Sequence, residues 1–540
     1  MRTYTKGIRA LLTTLAVMAG LGGWAAPARG QSPGLAGRTL EEINQAMDSG
    51  ALTSEALIQM YLDRIAAYDQ QGPTLNAIIA LNPRALEQAR ALDAERRQRG
   101  PRSPLHGIPV VLKDNIDTGD MATTGGSLIL AGSIPPDDAY VVKRLRDAGA
   151  IILAKVNLSE LASGATMSSV HGAMKNPHDL NRTPSGSSGG TGVAIAAAFA
   201  TLGLGTDTGG SVRGPSTSNG IVGMKPTHGL LSHDGVIPLS LTFDMVGPMT
   251  RHVYDLAAML GPMTGVDPAD PTTAASAGKS HADYTQFLDP NALRGARIGI
   301  ARQFMGRDAE VDWVVEAALQ TMRDQGATIV DVRYPGWLLA AKEEWYTTIR
   351  WPDFRAQIKD YLATLRPGYP KDLDEMIERS MKLTSTTPEG GIPNPVRWAL
   401  FKQEEASGEL TDYEYVAMRD YGLPLARAII DGMLEEQNLD AIVYPTSSSR
   451  PGPLVGGAGG GGGPSATNLA NITGFPDLIV PAGFTSDRLP VGISFFGTAY
   501  SEPRLLGLGY AFEQATKARR DPVHAPPLAR ERTRMQGLLP

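Results

Sequence analysis

An α/β fold is expected for this 540-residue chain because short apolar, strand-like runs alternate with amphipathic helix patterns along most of its length. Its 61 Gly and 39 Pro stay below the ~25–30% that marks low-complexity disorder, so the chain is expected to fold. After residue 30 no apolar run reaches 18 residues, so no membrane-spanning helix is expected there. At roughly 150 residues per domain the length would allow three or four domains. The strand rhythm nevertheless resumes beyond its one long interruption, and no fixed-period repeat is visible. We therefore expect one large α/β core with a helical lead-in and a helical insertion.

The first 30 residues read as an export signal. Arg2, Lys6 and Arg9 form a basic start, residues 10–26 are largely apolar, and Ala28-Arg29-Gly30 offers a small-x-small cleavage site, with Ala26-Pro27-Ala28 as a second. The apolar stretch is shorter than the ~20 residues that span a bilayer, which favours a cleaved signal over an anchor. The expected location is periplasmic or extracellular. Net charge is −6, and removing residues 1–30 takes away four basic and no acidic residues, leaving −10. Such a balance gives no footprint for nucleic acid or for an anionic membrane surface. The chain has no Cys, which excludes thiol nucleophiles, thiolate metal sites and disulfides and suits an oxidising compartment.

In the lead-in, Thr39 precedes Glu41-Glu42, Thr53-Ser54 precedes an apolar pattern at Leu57, Ile58, Tyr61, Leu62 and Ile65, and Asn82-Pro83 opens a third helix. Residues 108–112 form a short apolar run. Residues 141–149 follow as a helix stopped by Gly149, and 150–153 as a strand. The same rhythm recurs at 296–301, 311–323, 328–332, 441–444, 478–480 and 491–496. Residues 333–435 break it with Trp337, Trp345, Tyr346, Trp351 and Tyr361 set among many charges, and read as the helical insertion with these aromatics as packing groups. The glycine-rich run 456–463 reads as a mobile loop, and residues 531–540 as a tail.

Residues 183–215 hold two Ser/Gly clusters on either side of an Ala-rich apolar segment. The segment 189–200 reads as a buried helix whose positive N-terminus gathers the hydroxyls of Ser187 and Ser188. In the second cluster, Thr208, Gly209, Gly210 and Ser211 have side chains too small to cover the backbone, so their N–H groups can converge on one oxygen, as an oxyanion hole requires. A serine nucleophile needs a base. None of the eight His lies in a recognisable triad context, whereas Lys113 directly follows the apolar run 108–112, where burial would disfavour its charge. Bringing its pKa from ~10.4 to near 7 requires roughly 4 kcal/mol of differential solvation, feasible in a buried site.

Lys113 in GIPVVLKDN, SGSSGG at 185–190, GTDTGGSVR at 205–213 and GMKPT at 223–227 resemble the amidase signature family, in matching order. The likeness extends over about residues 39–520, through ITGFPDLIVPAGF, LPVGISFFG and SEPRLLGLGYAFEQAT. It implies a single large domain over 31–530 with a mixed β-sheet core covered by helices, and hydrolysis of carboxamide C–N bonds in small-molecule or peptide amides. It further implies a Ser-Ser-Lys triad: Ser211 as nucleophile, Ser187 as bridging serine after a cis peptide bond, and Lys113 as base. Ser187 and Ser211 stand 24 positions apart, the family's usual interval. The implied oxyanion hole is the amides of Thr208, Gly209, Gly210 and Ser211, with Ser188, Asp207 and Arg213 as structural support. Neither a metal nor an organic cofactor is implied, and the expected assembly is a monomer or homodimer. Two departures stand out. Ser185 occupies the first small-residue position of GGSSGG, and Gly214-Pro215-Ser216 replaces the usual Pro-Ala after the Arg. Among branches of the family the chain most resembles exported bacterial peptide amidases.

The resemblance also allows a transamidating subunit working with partners, against which the export signal argues, and three further rival readings follow from the same residues. Residues 186–190 also fit G-x-S-x-G with Ser188 as an esterase nucleophile, but that motif needs a preceding strand, and NPHDLNRTP stands there instead. A phosphate loop at Gly278-Lys279-Ser280 fails because Thr273 stands where Gly is required. The clusters could also be packing turns of an exported binding protein, a reading that the joint presence of Lys113, Ser187 and Ser211 disfavours.

Overall fold

The computed structural model describes residues 34–383, 394–454 and 467–535. Residues 1–30, read above as an export signal, and the glycine-rich run 456–463 lie outside the described residues. The lead-in forms as read. Helix α1 (Leu40–Asp48) starts on a capping box between Thr39 and Glu42, and α2 (Ser54–Tyr68) on the Thr53 hydroxyl. Helix α3 (Ala85–Arg99) follows Asn82, whose Oδ1 accepts the Arg84 N–H at 2.9 Å. Between α2 and α3 the chain also makes a strand, β1 (Ile78–Leu81), which the sequence reading passed over because four apolar residues without alternation carry no period.

The described strands build one eleven-stranded mixed sheet and a small two-stranded one. In chain order they are β2 (Pro109–Lys113), β3 (Ile151–Val156), the short pair β4 (Met167–Ser168) and β5 (Gly172–Ala173), β6 (Leu202–Asp207), β7 (Val222–Lys225), β8 (Met245–Thr250), β9 (Arg297–Ile300), β10 (Thr328–Asp331), β11 (Ala441–Pro445), β12 (Asp477–Phe484) and β13 (Pro490–Phe496). The large sheet runs β1-β3-β2-β6-β8-β7-β12-β13-β11-β9-β10, parallel at β3-β2-β6 and β11-β9-β10 and antiparallel elsewhere. Strands β6, β7 and β8 went unread. Gly203 and Gly205 dilute β6, while Gly247 and Pro248 sit inside β8 despite its central place.

Helices α4 (Tyr140–Asp147), α5 (Gly189–Ala196), α6 (Arg213–Ser218), α7 (Val253–Met263), α8 (Ala309–Asp324) and α15 (Glu502–Thr516) cover the sheet. The interruption read at 333–435 is helical where described, with α9 (Gly336–Ala363), α10 (Leu373–Lys382), α11 (Pro395–Glu405), α12 (Tyr413–Ala417) and α13 (Leu423–Glu436). Helix α14 (Thr467–Thr473) follows, and α16 (Ala529–Met535) runs through the start of the expected tail. That segment is tied down, because buried Glu531 on α16 pairs with Arg64 on α2 at 2.7 Å.

Helix α5 is buried along its whole length and packs on β2 and β6, the two parallel strands that carry the site. Its approach depends on Gly190, whose N–H donates to the Asn157 carbonyl at 2.9 Å and where a Cβ would stand 2.1 Å from that oxygen. We predict that Gly190→Ala destabilises the protein by about 3 kcal/mol through overpacking against backbone, read as a lowered urea midpoint. An unchanged midpoint would contradict this packing.

Candidate active site

Parallel pairing of β2 with β6, with Leu112 opposite Leu204, brings the C-terminal ends of both strands together. Lys113 ends β2 and is fully buried. Its Nζ lies 2.7 Å from Ser187 Oγ and 2.7 Å from Thr206 Oγ1, with the Thr206 carbonyl at 3.4 Å. Burial pulls the amine down to about 7, and the carboxylates of Asp207 and Asp244 offset only part of that effect.

Ser187 precedes α5, is 4% exposed, and follows a cis Gly186–Ser187 peptide bond. The structure gives Ser188 a different situation. Its hydroxyl donates to the Thr206 carbonyl at 3.0 Å and accepts the Thr206 N–H at 3.2 Å, while its own N–H donates to the Ser211 carbonyl at 3.2 Å. Ser188 therefore clamps the end of β6 to the start of α5, and its hydroxyl is committed on both sides.

Asp207 closes β6 and folds the next turn around its carboxylate. Oδ1 accepts the Gly210 N–H at 2.8 Å, and Oδ2 accepts the Val212 N–H at 2.9 Å. Arg213 meets both oxygens at 3.1 Å, and Asn471 Nδ2 donates to Oδ1 at 2.9 Å. Burial would raise the Asp207 pKa, but the Arg213 charge and these hydrogen bonds outweigh it and hold the carboxyl well below the usual range. Arg213 also reaches Asp477 at 3.0 Å. Thr208 Oγ1 donates to Asp244, which in turn accepts the N–H groups of Leu239 and Ser240 at 2.8 and 3.0 Å.

Of the four amides read from sequence as oxyanion donors, that of Gly210 is taken by Asp207. Those of Thr208, Gly209 and Ser211 make no protein hydrogen bond among the described residues, nor does the Ser211 hydroxyl. Ser211 and Ser187 line one cavity of about 520 Å³ together with Ser185, Gly209 and Gly210. The insertion supplies part of its wall. Tyr346 on α9 stacks on Phe243 with ring centroids 5.3 Å apart, and its hydroxyl lies so close over Gly209 that a Cβ there would stand 2.8 Å from it. Tyr346 thus lines the cavity, whereas Trp345 and Tyr361 are packing groups, as read.

Sequence reasoning missed Thr206, Asn115, Asp244, Asn471 and Asp477. Thr206 and Asn115 stand within the motifs that hold Asp207 and Lys113, but their roles depend on β6 being a strand beside β2, which was not read. Asn471 and Asp477 lie more than 250 positions from Arg213, beyond the reach of any local pattern.

A family model for amidases matches residues 56–506. The chain belongs to the amidase family. Among solved structures this amidase is similar to the native peptide amidase of Stenotrophomonas maltophilia, 40% identical over 90% of this chain and 98% of that one, with a TM-score of 0.82. Relatives include a probable amidase of Arabidopsis thaliana, 34% identical over 90% of this chain and 91% of that protein. A component of the glutamyl-tRNA(Gln) amidotransferase of Caldanaerobacter subterraneus is 35% identical over 89% of this chain and 96% of its own length. The chain is an enzyme that hydrolyses amide C–N bonds.

The lowered Lys113 value carries a stability consequence. In the unfolded chain the amine titrates near 10.5, so between 7 and 10.5 the unfolded state binds more protons and stability rises with pH. The cost of burying this group is complete below pH 7 and fades toward 10.5. We predict that the stability of Lys113→Met relative to wild type is highest near neutral pH and falls as pH rises toward 10, measured by urea unfolding at several pH values. A difference independent of pH would contradict the assignment.

Proposed function

We propose that this amidase is an exported serine hydrolase of peptide and similar polar amides, working through Lys113, Ser187 and Ser211. The observation that carries the reading is the 2.7 Å contact from buried Lys113 to Ser187, with Ser187 sharing a cavity with the Ser211 hydroxyl, which makes no bond among the described residues. Neutral Lys113 takes the Ser187 proton while Ser187 takes that of Ser211, and Ser211 attacks the amide carbonyl. The developing oxyanion is held by the amides of Thr208, Gly209 and Ser211. Proton return through Ser187 expels the amine or ammonia, and water hydrolyses the acyl-enzyme by the same relay, giving the carboxylate. No step calls on a metal or an organic cofactor.

The substrate class is supported by the likeness to a peptide amidase and by a cavity lined largely by Ser, Thr and Gly, which suits a polar backbone better than a fatty or aryl group. Export is supported by the basic start, short apolar stretch and small-x-small site of residues 1–30. The amidotransferase relatives raise a second reading, a transamidating component of a larger complex. The export signal weighs against it, because tRNA-dependent chemistry is cytoplasmic. The esterase reading is disfavoured by the committed hydroxyl of Ser188.

Two outcomes are expected. A serine-directed fluorophosphonate labels Ser211, located by peptide mass spectrometry, and Ser211→Ala lowers kcat on peptide amides on the order of 10⁴-fold or more without changing the melting temperature. In the wild type kcat/KM rises through about pH 7 as Lys113 loses its proton, and EDTA leaves it unchanged. An adduct on Ser188, or activity lost to EDTA and restored by metal, would overturn the relay. For export, the protein recovered outside the cytoplasm begins after residue 28 or residue 30. An intact N-terminus retained in the cytoplasm would refute it.

A further inference from the structure

We propose that Thr206 is the positioning residue of the lysine base: its two oxygens engage both N–H bonds of neutral Lys113 and so aim the nitrogen lone pair at Ser187. The inference rests on the Lys113–Ser187–Ser211 relay proposed above and explains how that relay is set in the right direction.

A neutral primary amine has two N–H donors and one lone pair. Three oxygens surround Nζ: Ser187 Oγ and Thr206 Oγ1 at 2.7 Å, and the Thr206 carbonyl at 3.4 Å. The carbonyl can only accept. Thr206 Oγ1 also accepts from Asn115 Nδ2 at 3.1 Å, and its second lone pair is open to a lysine N–H. With both N–H bonds directed to Thr206, the lone pair is left facing the Ser187 hydroxyl, the one proton in this shell that the relay moves. When that proton arrives on Nζ, Ser187 takes the Ser211 proton, and the ammonium has three N–H bonds for the same three oxygens. Neither state requires a partner to move, which is what a preorganised site needs.

Thr206 is itself fixed for this task. It is 2% exposed, at the end of β6, and the Ser188 hydroxyl holds both its N–H and its carbonyl. Lys113 forms no ion pair among the described residues, and the charged groups acting on it are the carboxylates of Asp207 and Asp244. A salt bridge would have kept the amine protonated. The hydroxyl and carbonyl of Thr206 orient it without supplying a full opposing charge.

The test is the rate at which a fluorophosphonate inactivates Ser211, measured against pH for wild type, Thr206→Val and Thr206→Ser, because inactivation reads the base without acyl-enzyme hydrolysis. Val keeps the shape and removes the acceptor. We expect Thr206→Val to slow inactivation about 10- to 100-fold. We also expect its midpoint below the wild-type value of about 7, because the lost oxygen stabilises the ammonium more than the amine. Thr206→Ser should recover most of the rate and the wild-type midpoint. Should Thr206→Val fail to fold, Thr206→Cys, whose thiol is a weak acceptor, takes its place against Thr206→Ser. Wild-type rate and midpoint in the acceptor-free variant would overturn the inference while leaving the relay standing, as would a slow Thr206→Ser with an unmoved midpoint. Absence of a Ser211 adduct in the wild type would instead overturn the relay.

Discussion

Among the described residues Lys113 is buried without a counter-ion, and the surrounding structure is arranged around that fact. An ammonium in such a place is costly, so the amine is drawn toward its neutral form. In either form it needs oxygen partners, and among the described residues they come from Ser187 and Thr206. One lies just before α5 and the other near the end of β6. The helix and the strand must therefore meet at the end of β2, and Ser188 fixes them there by bonding the backbone of Thr206. The small residues of this region follow from the same constraint, since Gly190 is what allows α5 to lie against the Asn157 backbone.

A second constraint is the buried charge cluster behind the turn that bears Ser211. Arg213 faces Asp207 and Asp477, and Asn471 and Tyr444 add hydrogen bonds to the two carboxylates. Such a cluster is weak evidence for stability, because desolvation consumes much of the attraction. Its value here is geometric. Asp207 gathers the N–H groups of Gly210 and Val212, which shapes the turn bearing Ser211. Arg213 ties that turn to β12 and α14, segments more than 250 residues away in the chain. The turn is thus held by side chains on its buried side while Ser211 faces the cavity.

The helical insertion joins the same network from the other direction. Thr208 bonds Asp244, whose carboxylate collects the backbone of Leu239 and Ser240. The Ser240 hydroxyl bonds Asp353 on α9 at 2.6 Å, and Asp353 accepts from Tyr415 on α12 at 2.7 Å. A continuous buried line of hydrogen bonds runs from the Ser211 turn into the insertion, and Tyr346 on α9 brings an aromatic wall to the cavity. Among the described residues, this part of the chain, which breaks the strand rhythm, adds Glu343 and Tyr346 to the wall of the cavity that Ser211 lines.

Much of this was legible in the residues. Apolar runs and caps located β2, β3, β9 to β13 and the lead-in helices, because their signals are local: a period, an N-cap, a stop. The Ser/Gly clusters and Lys113 stood out for the same reason, since their chemistry is carried by residue type and short spacing. What the residues left unread are features that exist only through pairing. Strands β6 and β8 contain Gly and Pro that argue against strands, and they are held by neighbours on both sides. Thr206 acquires its place only when β6 lies parallel to β2. Residue type and local spacing were enough to say which side chains have chemistry and which segments want to be helix or strand. It took the packed molecule to give the Gly210 amide to Asp207, to lock the Ser188 hydroxyl while, among the described residues, that of Ser211 makes no bond, and to turn Thr206 toward the lysine. Those outcomes depend on distances between segments far apart in the chain, which no local pattern encodes.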